Sequence, residues 1–160
     1  MTLFRLLSLA SIGFLSGGCA NSDDAARSAA KRDYQVISGT WRLTSAVVDG
    51  KPVPPAELKN MILITDGDTF RFPQDSGVGT HPAGTFTIHP STEPKQVDSV
   101  ASGGPNSGQV TLGIYEILDP SHKRACCGPP GGPRPTEFQS PPGSHRILQY
   151  WEKIGPVPNR

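Results

Sequence analysis

From residue 38 onward, apolar and polar residues alternate with a period of two over short runs, and turn-forming residues cut each run off. The first run, SGTWRLTSAVVDGKPV, places Trp41, Leu43 and Val47 on one face of a strand. Asp49-Gly50 then supplies a pair suited to the positive φ angles of a tight hairpin turn. The polar connector PPAELKN has room for one helical turn. A second hairpin is written in MILITDGDTFRF, where Met61–Thr65 and Thr69–Phe72 flank the turn Asp66-Gly67-Asp68 and Phe70 and Phe72 share a face. In GTFTIHP, Phe86 and Ile88 lie together, opposite Thr85, Thr87 and His89. KQVDSVA reads as a further short strand. GQVTLGIYEILD is the longest, with Val110, Leu112, Ile114 and Leu118 on one side and Tyr115 and Ile117 on the other. HRILQYWEK ends the pattern, with Ile147 and Trp151 on one face and Leu148 and Tyr150 on the other.

These segments make about seven or eight strands, and no long helical pattern separates them, which argues against parallel βαβ units. One sheet of this length must bury a face and protect its edges. A closed or nearly closed barrel does both, whereas a β-sandwich does the first equally well. The expected fold is all-β, a small antiparallel barrel over residues 38–153, with 154–160 as a C-terminal tail.

Composition narrows this without changing it. The 160 residues suffice for one domain. Apolar residues are only 35%, while 18 Gly and 17 Pro punctuate the chain with turns and follow no tandem or collagen-like period. The formal charge is +1, and Arg5 in the leader accounts for it. The charges are scattered, so nothing steers the protein to a phosphate backbone and nucleic acid is not an expected partner.

The opening segment, MTLFRLLSLASIGFLSGGCA, has one basic residue and then a mostly apolar run from Leu6 to Leu15. That run is too short for a lasting helix across a hydrocarbon core of roughly 30 Å, but it has the length of a signal h-region. Ser16, Gly17, Gly18 and Cys19 follow. Residues 1–18 thus resemble a bacterial lipoprotein signal, with Cys19 as the lipidated mature N-terminus. Ser16 stands where such signals usually carry Leu, and cleavage near Ala20 without a lipid is the alternative. Residues 19–37 are polar and small at first, and are expected to tether the domain to a membrane. With no Asp directly after the cysteine, sorting rules for such lipoproteins point to the outer membrane, facing the periplasm.

Five phrases carry a further resemblance: Gly39-Thr40-Trp41, GTFTIHP, Pro94-Lys95-Gln96-Val97-Asp98, Leu112-Gly113-Ile114-Tyr115-Glu116 and Arg134-Pro135-Thr136-Glu137-Phe138. In order and spacing they resemble an uncharacterised family of small exported proteins expanded in planctomycete bacteria, across roughly residues 37–153. The resemblance implies a lipocalin-like shape and no established activity. Gly39-x-Trp41 is also similar to the first-strand signature of lipocalins, in which the Trp plugs one barrel end beneath an Arg. That similarity implies Arg146 or Arg134 over Trp41, with a cation–π gain of about 0.5–2 kcal/mol. A core Trp after a turn glycine is the plainer reading.

The stretch HKRACCGPPGGPRPTEF holds the remaining candidates. In an oxidising compartment, Cys126 and Cys127 have three states open: a strained vicinal disulfide, one buried and one exposed thiol, or an intermolecular bridge. A metal site drawn from Cys126, Cys127, His122 and His145 lacks a recognised ligand spacing, so no metal and no cofactor is expected. Gly-x-Ser-x-Gly, His-Glu-x-x-His and phosphate-loop patterns are missing from the sequence. Glu116 and Glu137 could form a carboxylate pair, but ion pairing is the plainer role. Pro135 biases Arg134 toward an extended backbone, and Arg134 could fork onto Glu116 or Asp98. Asp98, Glu116, Arg134 and Glu137 are therefore candidates for a structural ion-pair network within a braced connector. The expected function is non-catalytic: a lipid-anchored envelope protein binding a small apolar or amphipathic ligand in or at the mouth of the barrel. A structural or protein-interaction module of the envelope is the alternative, and a thiol- or carboxylate-dependent enzyme is more remote.

Overall fold

A computed structural model describes residues 22–73 and 83–159; residues 1–18, expected to be a signal, and Cys19 lie outside the described residues. The elements in chain order are α1 (Ser22–Ile37), β1 (Gly39–Val48), β2 (Lys51–Pro52), α2 (Pro55–Leu58), β3 (Ile62–Asp66), β4 (Thr69–Arg71), β5 (Ala83–His89), β6 (Gln96–Ala101), β7 (Val110–Asp119), β8 (His122–Cys127) and β9 (Ile147–Gly155). From β3 onward each strand pairs antiparallel with the next, and β9 returns to pair with β1, which also pairs with β3. Eight strands thus close into a lipocalin-like, up-and-down antiparallel barrel. The short β2 adds a hairpin to the end of β1.

The turns follow from the residues that form them. Asp49 and Gly50 have φ of 49° and 80°, the two successive left-handed positions that match the twist of the flanking strands. The Asp66–Thr69 pairing closes the second expected hairpin around Gly67. The single helical turn expected in PPAELKN is α2, whose Leu58 is buried beside Leu43 and Ala46.

Inside, two clusters share the barrel. Trp41, Leu43, Ala46, Leu58 and Trp151 form one, and Ile37, Phe86, Ile88 and Tyr115 the other. Removing a large aromatic side chain from water, about 150–250 Å² each, contributes about 4–6 kcal/mol before the entropy of ordering it is counted. The two Trp residues and Phe86 therefore dominate the interior.

Five features differ from the sequence reading. In β1 the register shifts between Leu43 and Ser45, so Ala46 rather than Val47 turns inward. In β7 the two faces divide as expected, yet both are buried at the centre of the strand. Tyr115 points into the barrel, while Ile114 has no exposed surface because the segment 128–146 covers the outside. His122–Cys127, expected in a connector, is the strand β8. The chain before residue 38 is not wholly a tether either. Ser22–Ile37 is a helix whose last turn belongs to the domain, because Asp33, Tyr34 and Ile37 bond or pack onto the barrel. At the other terminus β9 runs to Gly155, and Thr40 Oγ1 donates to the Pro156 carbonyl (2.7 Å), so the tail begins later than expected.

Candidate functional site

The last turn of α1 lies across one end of the barrel. Its orphan carbonyls, the negative end of the helix dipole, find donors from the strands beneath. Trp41 Nε1 donates to the Ile37 carbonyl (2.7 Å), and Thr65 Oγ1 donates to the same oxygen (2.6 Å). Lys153 Nζ donates to the Val36 carbonyl (2.6 Å) and the Ser38 carbonyl (3.0 Å). One turn earlier, Tyr34 donates its hydroxyl proton to the Phe86 carbonyl (3.3 Å) and accepts from Ile88 N (3.2 Å). Asp33 accepts from Tyr115 Oη (2.7 Å) and Lys95 Nζ (2.8 Å). Burial and the bond to Asp33 hold the Tyr115 hydroxyl well above the usual phenol range.

Below this cap a cavity of about 210 Å³ remains between the two interior clusters. Aromatic residues from four strands and one strand end surround it: Phe70, Phe72, Phe86, Tyr115 and Trp151. Leu63, Ile88 and Val97 fill gaps between them, and Thr65, Ser99, Gln149 and Cys127 add a few polar atoms. Gly113 keeps the β7 wall thin, since a Cβ there would come within 2.9 Å of Cys127 Sγ and 3.2 Å of a Val97 methyl.

One cation lines this cavity from β8. The alternation that turns Ala125 and Cys127 inward does the same to Lys123, which is only 9% exposed. Its Nζ stands 4.0 Å from the centroid of the Trp41 ring, with Lys153 Nζ at 4.9 Å from the same centroid. The ring favours the charged form by about 0.5–2 kcal/mol. Burial and the neighbouring Lys153 charge outweigh that and lower the Lys123 pKa to about 7.

The residues singled out in the sequence separate into several places. Trp41 is fully buried as a plug, but lysines cover it rather than Arg146 or Arg134. Register explains this: Lys153 is paired with Trp41 across β1 and β9, and Lys123 is paired with Trp151. Arg146 sits at the far end of β1, where its carbonyl accepts from Asp49 N. Arg134 lies on the outer face of the barrel. It pairs with Asp98 there, while Glu116 pairs with Arg124, its cross-strand partner. The expected four-residue network is therefore two separate pairs, and Glu137 joins no ion pair among the described residues. Arg124 also stacks its guanidinium over Phe138, 4.2 Å from the centroid.

Cys126 and Cys127 are free and point to opposite faces of β8, so of the expected states the vicinal disulfide is not formed. Cys126 has no exposed surface, and its Sγ lies 3.4 Å from the Gln139 carbonyl. Cys127 lines the cavity, where burial, aided by Cys126, pushes its thiol up to about 12. Its thiolate is therefore scarce at neutral pH. His122 pairs with Asp119, and no three His, Cys, Asp or Glu side chains converge among the described residues.

No protein-family model, curated protein or solved structure matches this chain. The sequence reading missed Lys153, Asp33 and Tyr34, and did not place Lys123 in the interior. Carrying the period-two count through HKRACC would have placed Lys123 with Ala125 and Cys127 on the inward face.

Proposed function

We propose that this chain is a non-catalytic envelope lipoprotein that holds a small apolar or amphipathic molecule inside its barrel. The observation that carries this reading is the aromatic-walled cavity of about 210 Å³. An eight-stranded barrel is just wide enough for side chains to fill it or for one small ligand to enter. Here the aromatic rings stand around a space rather than across it. Its size lies between an apolar cavity of about 150 Å³ that takes up benzene and the roughly 300–1,000 Å³ of drug-sized sites. The fitting ligand is a single short chain or a single ring. The lipoprotein-type segment ending at Cys19 supports export and anchoring at the outer membrane, on the periplasmic side. The resemblance of five phrases to small exported planctomycete proteins is in keeping with the same assignment.

Titration of the purified protein with 4-(dimethylamino)benzonitrile, a single-ring polarity-sensitive dye, tests the reading. We expect saturable binding of one dye per chain, accompanied by a change in Trp fluorescence, and its loss in Ser99→Trp, which fills the lumen from β6. Non-saturable binding, or binding that a folded Ser99→Trp variant retains, overturns the lumen as the site and favours the interaction-module alternative. Mass spectrometry of the protein from its own envelope tests the anchor, with acylated Cys19 as the expected terminal residue.

A further inference from the structure

We propose that the ligand of the lumen is an anion: a small amphipath whose single carboxylate seats against Lys123 while its apolar part lies among Phe70, Phe86 and Ile88. This rests on the lumen-binding reading and adds the chemical class of the ligand. Lys123 is nine-tenths buried, lines the cavity and has no hydrogen-bond or ion-pair partner among the described residues; it rests against the Trp41 ring. Lys153 beside it spends its donors on the Val36 and Ser38 carbonyls. Among the described residues no Asp or Glu lines the cavity, so this part of the wall offers Lys123 no counter-charge. A buried ammonium without a partner is costly, and pairing it with an anion recovers that cost in a low-dielectric site.

The rest of the lining selects among anions. Among the described residues Lys123 is the one cationic side chain directed into the cavity, since Arg124, also at its lining, turns its guanidinium outward to Glu116 and Phe138. One cation balances a carboxylate; a phosphate monoester carries more charge and needs more donors than this wall offers. Ser99 on β6 and Gln149 on β9 supply neutral hydrogen-bonding groups around the same cavity. The remaining surface is aromatic or aliphatic, which suits a short alkyl or aryl tail.

Displacement of 4-(dimethylamino)benzonitrile from the full chain by octanoate, octanol and octylammonium tests this. The three share a tail and differ in head-group charge. In the native protein we expect octanoate to displace the dye at least about tenfold more tightly than octanol, with octylammonium weakest. In Lys123→Met, a near-isosteric change that removes the amine, octanoate should lose at least about tenfold while octanol stays within about threefold. Equal displacement by octanoate and octanol in the native protein overturns the anion assignment and leaves the lumen as an apolar site. So does unchanged octanoate affinity in Lys123→Met. If none of the three displaces dye that binds in the lumen, the carboxylate assignment falls on its own; if the dye itself does not bind there, the lumen reading falls first.

Discussion

Arg134 holds Asp98 across the outer face of the barrel, with Nη2 at 2.5 Å from the carboxylate. Its Nη1 donates at the same time to the Gly113 carbonyl (2.6 Å) and the Val97 carbonyl (3.1 Å). One guanidinium thus binds the segment 128–146 to both β6 and β7. Lysine can replace the charge but not the fork. Arg134→Lys is expected to lower stability by about 1–3 kcal/mol, read as a lower urea midpoint at unchanged m-value. An unchanged midpoint would remove the fork as a structural brace.

Lys123 makes stability depend on pH in a specific direction. Its pKa is about 7 in the folded protein against an ordinary 10.5, so between those values the folded chain holds fewer protons than the unfolded one. Stability therefore rises with pH across that window and carries the full burial penalty below it. Lys123→Met should raise stability at neutral pH by on the order of a few kcal/mol and flatten the rise between about pH 7 and pH 9. Urea midpoints of both proteins across that range check it; parallel curves would mean that the amine reaches water.

The α1 cap depends on a carboxylate with two donors. Asp33→Ala leaves the Tyr115 hydroxyl and the Lys95 ammonium without their acceptor. The expected cost is about 1–3 kcal/mol, concentrated at the helix. Hydrogen exchange should show faster amides over residues 30–38 with the β7 and β8 amides unchanged. Uniform acceleration across the barrel would instead indicate global destabilisation.

The two adjacent thiols should be unreactive in the folded state for different reasons. Cys126 is sealed beneath the segment 128–146, and Cys127 faces the lumen with its pKa pushed up to about 12. Alkylation of the native protein at neutral pH should leave both unmodified, and denaturation should expose both. Peptide mass analysis of an unreduced sample decides the matter; a mass lower by two hydrogens in the Cys126-Cys127 peptide would establish the disulfide.

The legible parts of the fold were those governed by local rules. Asp49-Gly50 announces a turn because few other dipeptides tolerate two successive left-handed residues. Phe86 and Ile88 declare their face because the intervening residues are Thr and His. The β1 bulge was not legible, since Val47 fits the alternation and only the pairing with β9 turns Ala46 inward. The strand β8 was hidden because HKRACC begins with cationic residues, which a hydropathy pattern assigns to solvent. Lys123 is inside for a tertiary reason, its register beside Trp151 and above the Trp41 ring. Helix α1 was undervalued for a similar reason. Its docking rests on Asp33, Tyr34 and Ile37 at the final turn, and an averaged apolar face does not reveal three residues whose partners lie in β1, β3, β5, β7 and the turn before β6.

The β1–β9 seam has a consequence for how the protein is made. β1 meets β3 early but finds its second neighbour only when residues 147–155 have been synthesised. Until then the nascent polypeptide is an open, slit cylinder, with Trp41 and Leu43 unsheathed along the gap. Such distant pairing is slow to nucleate and leaves intermediates adhesive. A holding chaperone would therefore find its handle at the first strand, and release would coincide with arrival of the last.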